Sequence, residues 1–345
     1  MTIKKHQAGI SLIELMIAMV LGLFIVSGLL YVYLGSKSSY STQGAVARVQ
    51  EALRFGFEYL AFDLRMAGYS GCANVRESQT YVIANPPVPQ FGLGGTLRGY
   101  ENGSGWTTPT GWPSRVAGTD VLTVSALDNS CGANITTKSP TNANLKIDPA
   151  NTCGFQPNEV LMVTDCRRAD VFRPTSVSSG GGVTTLAHAN NFNTAPKLIS
   201  EEIPTYGSYD VDAFIARVTG WTYYIGINNR GNPALYRGRY DGAAPEELVE
   251  GVYDMQIEYG LDTVDDTVFI ANQYLPASSI NAPSLAPHWG QVVSAKVTVR
   301  ARSEADNLVP DSKTYTYNSN TANNVTDRRY RQSFTTVIGL RNLVQ

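Results

Sequence analysis

From Ile10 to Tyr33 the chain reads ISLIELMIAMVLGLFIVSGLLYVY, a run whose one charge is Glu14. At about 1.5 Å per residue a helix of this length crosses a bilayer core of about 30 Å, so the rest of the chain has to be built around a membrane span. A carboxylate inside such a span costs roughly 2.5 to 3.5 kcal/mol at its centre, which normally means that the acid has a partner or a job. Glu14 sits near the end that Lys4 and Lys5 hold in the cytoplasm by the positive-inside bias, where the cost is smaller. The residues beyond the span are then exported.

An ordinary secretory signal is cut after its apolar run at small residues, and the stretch LGSKSSYSTQGA beyond Tyr33 holds no clean site of that kind. A cut before the run, between Gly9 and Ile10, makes better sense of the pattern. Gly9 followed by Ile10, Ser11, Leu12, Ile13 and Glu14 resembles the class III signal of type IV prepilins. That resemblance implies cleavage after Gly9 by a prepilin peptidase and N-methylation of Ile10. It also implies a role for Glu14 in assembly, pairing with the Ile10 amine of a neighbouring subunit and so satisfying two charges that are each costly in lipid. Ile10 stands where major pilins usually have phenylalanine, and the span lacks the proline of many of their helices, so the likeness points away from the abundant subunit.

The chain has 345 residues, 43% hydrophobic and 16% charged, enough for one large or two small globular units behind the anchor. Its formal net charge of -2 gives no general electrostatic reason to bind nucleic acid. All four cysteines, Cys72, Cys131, Cys153 and Cys166, lie on the exported side, where an even set reads as disulfides. Of the three possible pairings we favour the nested one, Cys72 with Cys166 and Cys131 with Cys153; a local clasp of Cys153 with Cys166 is the alternative.

After a polar hinge at Gly35–Gly44, apolar residues recur at Val46, Val49, Leu53, Phe57, Leu60 and Leu64, in steps of 3, 4, 4, 3 and 4, one face of an amphipathic helix. Gly68 supplies its stop. The stretch Arg54 to Cys72 resembles the helix end of PilW-type minor pilins through Asp63, Leu64, Arg65, Ala67, Gly68, Tyr69, Gly71 and Cys72. Asp63 and Arg65 read as exposed, solvated or structural positions. From Asn85 to Gly118 prolines and glycines mark a loop with aromatics at Phe91, Tyr100, Trp106 and Trp112, either facing neighbours or covering a small core of their own.

Short strand signals follow at 120–127, 159–164, 182–187 and 218–225, with a hairpin through Asn228–Asn232 to 234–237. Strict alternation at 253–259 and 293–302, and a closing run at 331–342, complete the pattern of half-buried antiparallel strands. The fold expected is α+β: a long N-terminal helix packed on an antiparallel sheet head, type IV pilin-like by the resemblance. Its expected divisions are a leader at 1–9, a transmembrane helix at 10–35, its amphipathic continuation at 36–68, an αβ-loop region at 69–118 and a periplasmic β-rich head at 119–345. The segments around WTYYIGINNRGNPALYRG, EELVEGVYDMQIEYGLD and RRYRQSFTTVIGLRN also look like PilW proteins.

Chemistry finds little support. The histidines, His6, His188 and His288, suggest no triad, and neither a phosphate loop nor a Gly-x-Ser-x-Gly elbow occurs. Asp262, Asp265 and Asp266 form the best acidic cluster, but Val264 and Thr267 occupy third and sixth positions where a calcium loop needs an acid and a glycine. No enzyme, cofactor, metal site or catalytic residue is expected. The resemblance implies a minor pilin that helps prime type IV pilus assembly within a tip complex, serving twitching motility or adhesion. Its partners would be other minor pilins, the major pilin, prepilin peptidase, the inner membrane and a tip adhesin. A type II secretion pseudopilin is one alternative. A ligand- or DNA-binding tip module is another, if Lys296, Arg300, Arg302, Arg328, Arg329 and Arg331 meet on one face.

Overall fold

The structure, a computed structural model, describes residues 11–72, 79–86, 88, 91, 95–138, 144–150, 153–264, 269–280, 288–309, 314–317, 321–324 and 327–343. The expected leader and its cut between Gly9 and Ile10 lie outside them, as do Asp265 and Asp266.

The first element, α1, is Leu12–Met66, a helix of 55 residues and about 82 Å at 1.5 Å per residue. The polar stretch at Gly35–Gly44 does not break it, contrary to the hinge expected there. Its side chains turn back onto the helix, Thr42 Oγ1 donating to Ser38 O at 3.0 Å and Gln43 Nε2 to Ser39 Oγ at 3.3 Å. Polar residues without proline lower helix propensity only modestly. From Leu12 to Ser41 every residue except Gly22 is exposed, whereas Val49, Leu53, Phe57, Leu60 and Leu64 are buried on the head. Each of these burials contributes about 1.5–3 kcal/mol for the larger side chains, which seats the second half of α1 and leaves the first half free. Among the described residues α1 alone is long and apolar enough to cross a membrane.

The strands that follow are β1 (Gln79–Val82), β2 (Leu97–Tyr100), β3 (Val121–Asn134), β4 (Asn144–Ile147), β5 (Leu161–Thr164), β6 (Arg168–Phe172), β7 (Ser176–Gly180) and β8 (Val183–Ala187). After them come β9 (Phe214–Ile227), β10 (Pro233–Arg239), β11 (Glu246–Glu250), β12 (Val252–Leu261) and β13 (Gln273–Pro276), then a short helix α2 (Ala277–Ile280). The last strands are β14 (Val292–Arg302), β15 (Thr314–Tyr317), β16 (Thr321–Asn324) and β17 (Arg331–Gly339).

Two main sheets replace the single antiparallel sheet expected. The larger has eight strands in the order β1-β6-β5-β9-β10-β11, with β3 also on β9 and β2 on β3. Strand β9 is its spine: β3 pairs along one edge, and β5 and then β10 share the other. The second sheet runs β13-β12-β14-β17, and its register places Arg302 opposite Arg331. Among the described residues every strand pairing is antiparallel except β1 with β6. Strands β4-β8-β7 form a small sheet over a satellite core that includes Leu145, Phe172, Leu186 and Ile215. The main core joins α1 to both large sheets, with Leu60, Leu64, Tyr223, Ile257 and Val297 among its members.

The expected loop at 69–118 contains β1 and β2, and its aromatics turn inward. Trp112 is buried with Tyr224 and Tyr236, stacked at 5.6 Å on the Tyr224 ring, and Trp106 packs on the same cluster. Phe91 joins the main core. These rings cover the protein's own core, the second of the two readings left open above.

Candidate assembly site

Two regions of α1 hold charged side chains with defined partners, its N-terminal turn and its seat in the head. Ser11 caps the helix: its Oγ accepts from Glu14 N at 3.2 Å while Glu14 Oε2 accepts from Ser11 N at 3.0 Å. This reciprocal box satisfies two backbone N–H groups that a helix start otherwise leaves unpaired. It also puts the carboxylate at the positive end of the helix dipole, on an exposed turn.

At the other end the sequence reading is corrected. Asp63 is not exposed; it is 5% accessible and forms the centre of a clamp. Arg237 on β10 grips it in a fork, Nε to Oδ2 at 2.8 Å and Nη2 to Oδ1 at 3.0 Å. Tyr223 on β9 donates to Oδ2 at 2.5 Å. The guanidinium lies 3.4 Å from the centre of the Trp221 ring. Burial, reinforced by the neighbouring Asp63 charge, pushes the Tyr223 phenol far above its ordinary value and keeps it a donor. A signal was present in the sequence: Asp63 falls three residues after Leu60, in phase with the buried face, where a charge needs a partner.

Below the clamp the helix end is tied down twice more. Asn342 Nδ2 donates to Arg65 O at 3.0 Å, covering one of the orphan carbonyls of the last turn. Gly68 turns with φ 78° and its N–H bonds to Ser125 O at 2.9 Å, which starts the path onto β3. Cys72 is then bonded to Cys166 in the turn between β5 and β6, with Cα atoms 5.0 Å apart. Cys131 is bonded to Cys153, Cα atoms 5.4 Å apart, where β3 departs from its regular pairing with β9.

The other singled-out residues have their own partners. Lys296 pairs with Glu258 at 2.8 Å and Arg300 with Asp254. Arg302, Arg329 and Arg331 gather round Asp327 at 3.9, 3.9 and 2.6 Å, and Arg328 donates to Val309 O at 2.8 Å. Hydrogen bonding from Arg331 holds the Asp327 carboxyl below its usual range. The two clusters thus touch only through Arg302, Arg329 and Arg331, and do so round an acid. Asp262 accepts from Val264 N at 3.2 Å in a turn. Among the described residues no group of three or more His, Cys, Asp or Glu is placed to hold a metal ion.

Buried titratable groups inside the head serve packing. Asp120 accepts from Asn102 N and Ile257 N, each at 2.8 Å, yet burial raises its pKa to about 7. His188, set edge-on to Phe172, is pushed down to about 4 by burial. Asp170 is hydrogen-bonded by Ser200 and by Tyr209 at 2.8 Å, and its carboxyl is raised by burial.

Residues 222–342 match the family Type IV Pilus-assembly protein W, and residues 4–30 match the prokaryotic N-terminal methylation motif. The first segment contains Tyr223 and Arg237, the head's side of the clamp, and Asn342, which ties the helix end; the second contains Glu14. No curated protein matches the chain. Among solved structures, the type IV-like pilin TTHA1219 from Thermus thermophilus aligns over 86% of this chain and 99% of its own, at 11% identity and a TM-score of 0.33. A score that low adds nothing to the architecture described above.

Proposed function

We propose that this chain, which its two family matches make a PilW-like type IV minor pilin, is cut between Gly9 and Ile10, methylated at Ile10 and held by α1 in the inner membrane with its head in the periplasm. From there it joins a pilus as a priming subunit, in a tip complex with other minor pilins. The observation that carries this reading is the continuity of α1. It begins inside the methylation-motif match, stays bare and apolar for the length of a membrane span, and ends clamped in a head of PilW type.

Glu14 has the right place for docking. Its carboxylate is exposed on the first turn, held by its own Ser11 N–H until a stronger cationic partner is offered. An incoming Ile10 amine replaces a bond in which only the acceptor is charged by one between two opposite charges. The match to a pilus-assembly family favours a pilus over a secretion machine. The acid partners of the arginines on β14 and β17 weigh against a DNA-binding face.

Intact mass of the protein recovered from membranes tests processing. A chain beginning at methylated Ile10 supports the reading, and a chain retaining Met1 to Gly9 in cells with active prepilin peptidase refutes it. For assembly, Glu14→Ala is expected to leave processing intact while lowering the amount of this subunit in sheared filaments; wild-type incorporation by immunoblot would remove Glu14 from the docking role.

A further inference from the structure

Within the seated half of α1 the buried face leaves a second apolar line uncovered. Phe55, Tyr59 and Phe62 stay 46%, 36% and 57% accessible although they lie on a folded head, and Met66 continues their line half-buried. Their spacing, 4, 3 and 4, is the seam spacing of a helix that packs along another helix. Phe55 and Tyr59 already touch, ring centres 5.0 Å apart. Beside the Phe62–Met66 end of the seam lies an open cleft of about 260 Å³ between α1 and strands β3 and β9 of the large sheet, bordered by Phe62, Met66, Leu127, Thr219 and Trp221. The seam therefore has a floor on one side and solvent on the other.

The charges that flank the seam choose its occupant. On the side away from the head, Glu51, Glu58 and Arg65 recur every seven residues, all exposed. On the side towards the head, the corresponding positions are Gly56 and Asp63, both buried. Subunits anchored in one membrane by their N-terminal helices can pair these helices only in parallel. In a parallel pair with the two seams in register, a residue on the outer flank faces the inner-flank residue five positions on in the partner. A second copy would thus offer Gly56 to Glu51 and Asp63 to Glu58. The first has no charge, and the second has the same sign and is already held by Arg237.

We infer that the Phe55–Tyr59–Phe62 seam docks the membrane-anchored helix of a different pilin-type subunit, one with apolar residues at the same spacing and basic residues facing Glu51 and Glu58. The inference rests on the pilin reading above and adds to it the surface and the chemistry of the neighbour. Aromatic anchors in a partly enclosed groove are the usual seat of binding energy, and the flanking acids set which partner is accepted.

The test uses the full chain in its own membranes, carrying the photo-reactive residue p-benzoylphenylalanine in place of Phe62, or in place of Val211 as an exposed control away from the seam. Illumination is expected to give an adduct from position 62 and none from 211. Mass spectrometry is expected to place the attached residue on the helix of a different subunit that carries an N-terminal methylation motif. Adding Glu51→Lys and Glu58→Lys should lower the yield by about tenfold through like-charge repulsion with the partner's basic residues. Adducts only with a second copy or with phospholipid, no adduct, or a yield indifferent to the charge reversal would each overturn the inference. The mass of the N-terminus is read in the same sample: an uncut leader defeats the pilin reading itself, whereas a methylated Ile10 without the adduct defeats only this surface.

Discussion

Asp63 and Arg237 form a charge pair that is nearly dry, and such pairs are far more sensitive to the loss of one member than their net contribution suggests. Asp63→Ala is expected to lower the unfolding free energy of the head by about 3–5 kcal/mol, because it strands a guanidinium against Trp221. Asp63→Asn should cost less, since the amide oxygen still accepts one bond. Denaturant titration of the three proteins checks the order, and equal midpoints would show that the clamp is not a clamp. His188 and Asp120 set a pH dependence of opposite sign. His188 falls from 6.5 to about 4 on folding, so its share of stability is present above pH 6.5 and is lost as pH drops through that window. Asp120 rises from 3.8 to about 7, so its share is present below pH 3.8 and is lost as pH climbs towards 7. Wild-type stability should change little between pH 4 and 6.5. Replacing the histidine by His188→Leu should leave a protein that weakens steadily as pH rises, and Asp120→Asn one that strengthens. Parallel pH profiles for both variants would refute the assignment.

Elements with one wet and one dry face could be read from the sequence, and so could β5, a wholly buried but unbroken apolar run. In β14 the inward Val297, Val299 and Ala301 alternate with Lys296, Thr298 and Arg300, and in β12 Met255, Ile257 and Tyr259 do the same, so both were evident. Strand β6 was not, because Arg168 and Asp170 break its apolar run although every residue in it is buried. Arg168 is accommodated by Asp165 at 3.2 Å and the carbonyls of Ser200 and Gly207, which come from elsewhere in the chain. Strand β7, SVSSG, has no apolar stripe and pairs on β8 through its backbone. The clamp was hidden by distance: Tyr223 and Arg237 face each other across a legible hairpin, but Asp63 lies 160 residues before Tyr223 and only the fold brings it to them. Close contacts between elements are equally invisible. A Cβ on Gly238 of β10 would lie 1.8 Å from Trp112 Cη2. Gly238→Ala is therefore expected to push Trp112 out of its stack with Tyr224 and flatten the near-UV circular dichroism of the aromatic cluster, while far-UV signal is retained.

At the scale of the molecule, α1 serves two environments with one uninterrupted helix. Its buried contacts with the head begin at Val49, so deletion of residues 1–36 should leave a soluble head that melts within a few degrees of the full chain in detergent. A large drop would mean that the bare half of α1 also supports the fold. The amphipathic face and the overall α+β plan were legible because each follows from local periodicity, and the N-terminal pattern through its resemblance to a prepilin signal. The division of the head into two sheets was not, since it depends on which long strands β9 gathers on its two edges.

The covalent link at Cys72 has a mechanical consequence. A subunit pulled by its anchor while its head is held is loaded through α1, and that tension enters the head along the helix face from Val49 to Leu64. Packing and the Asp63 fork can creep under sustained force, because non-covalent contacts break and re-form. The bridge to Cys166 lies immediately beyond the helix end and passes the remaining load into the turn between β5 and β6, inside the eight-stranded sheet. The contacts from Val49 to Leu64 can still be stripped, but below the strength of a covalent bond the chain between Cys72 and Cys166 is shielded from extension.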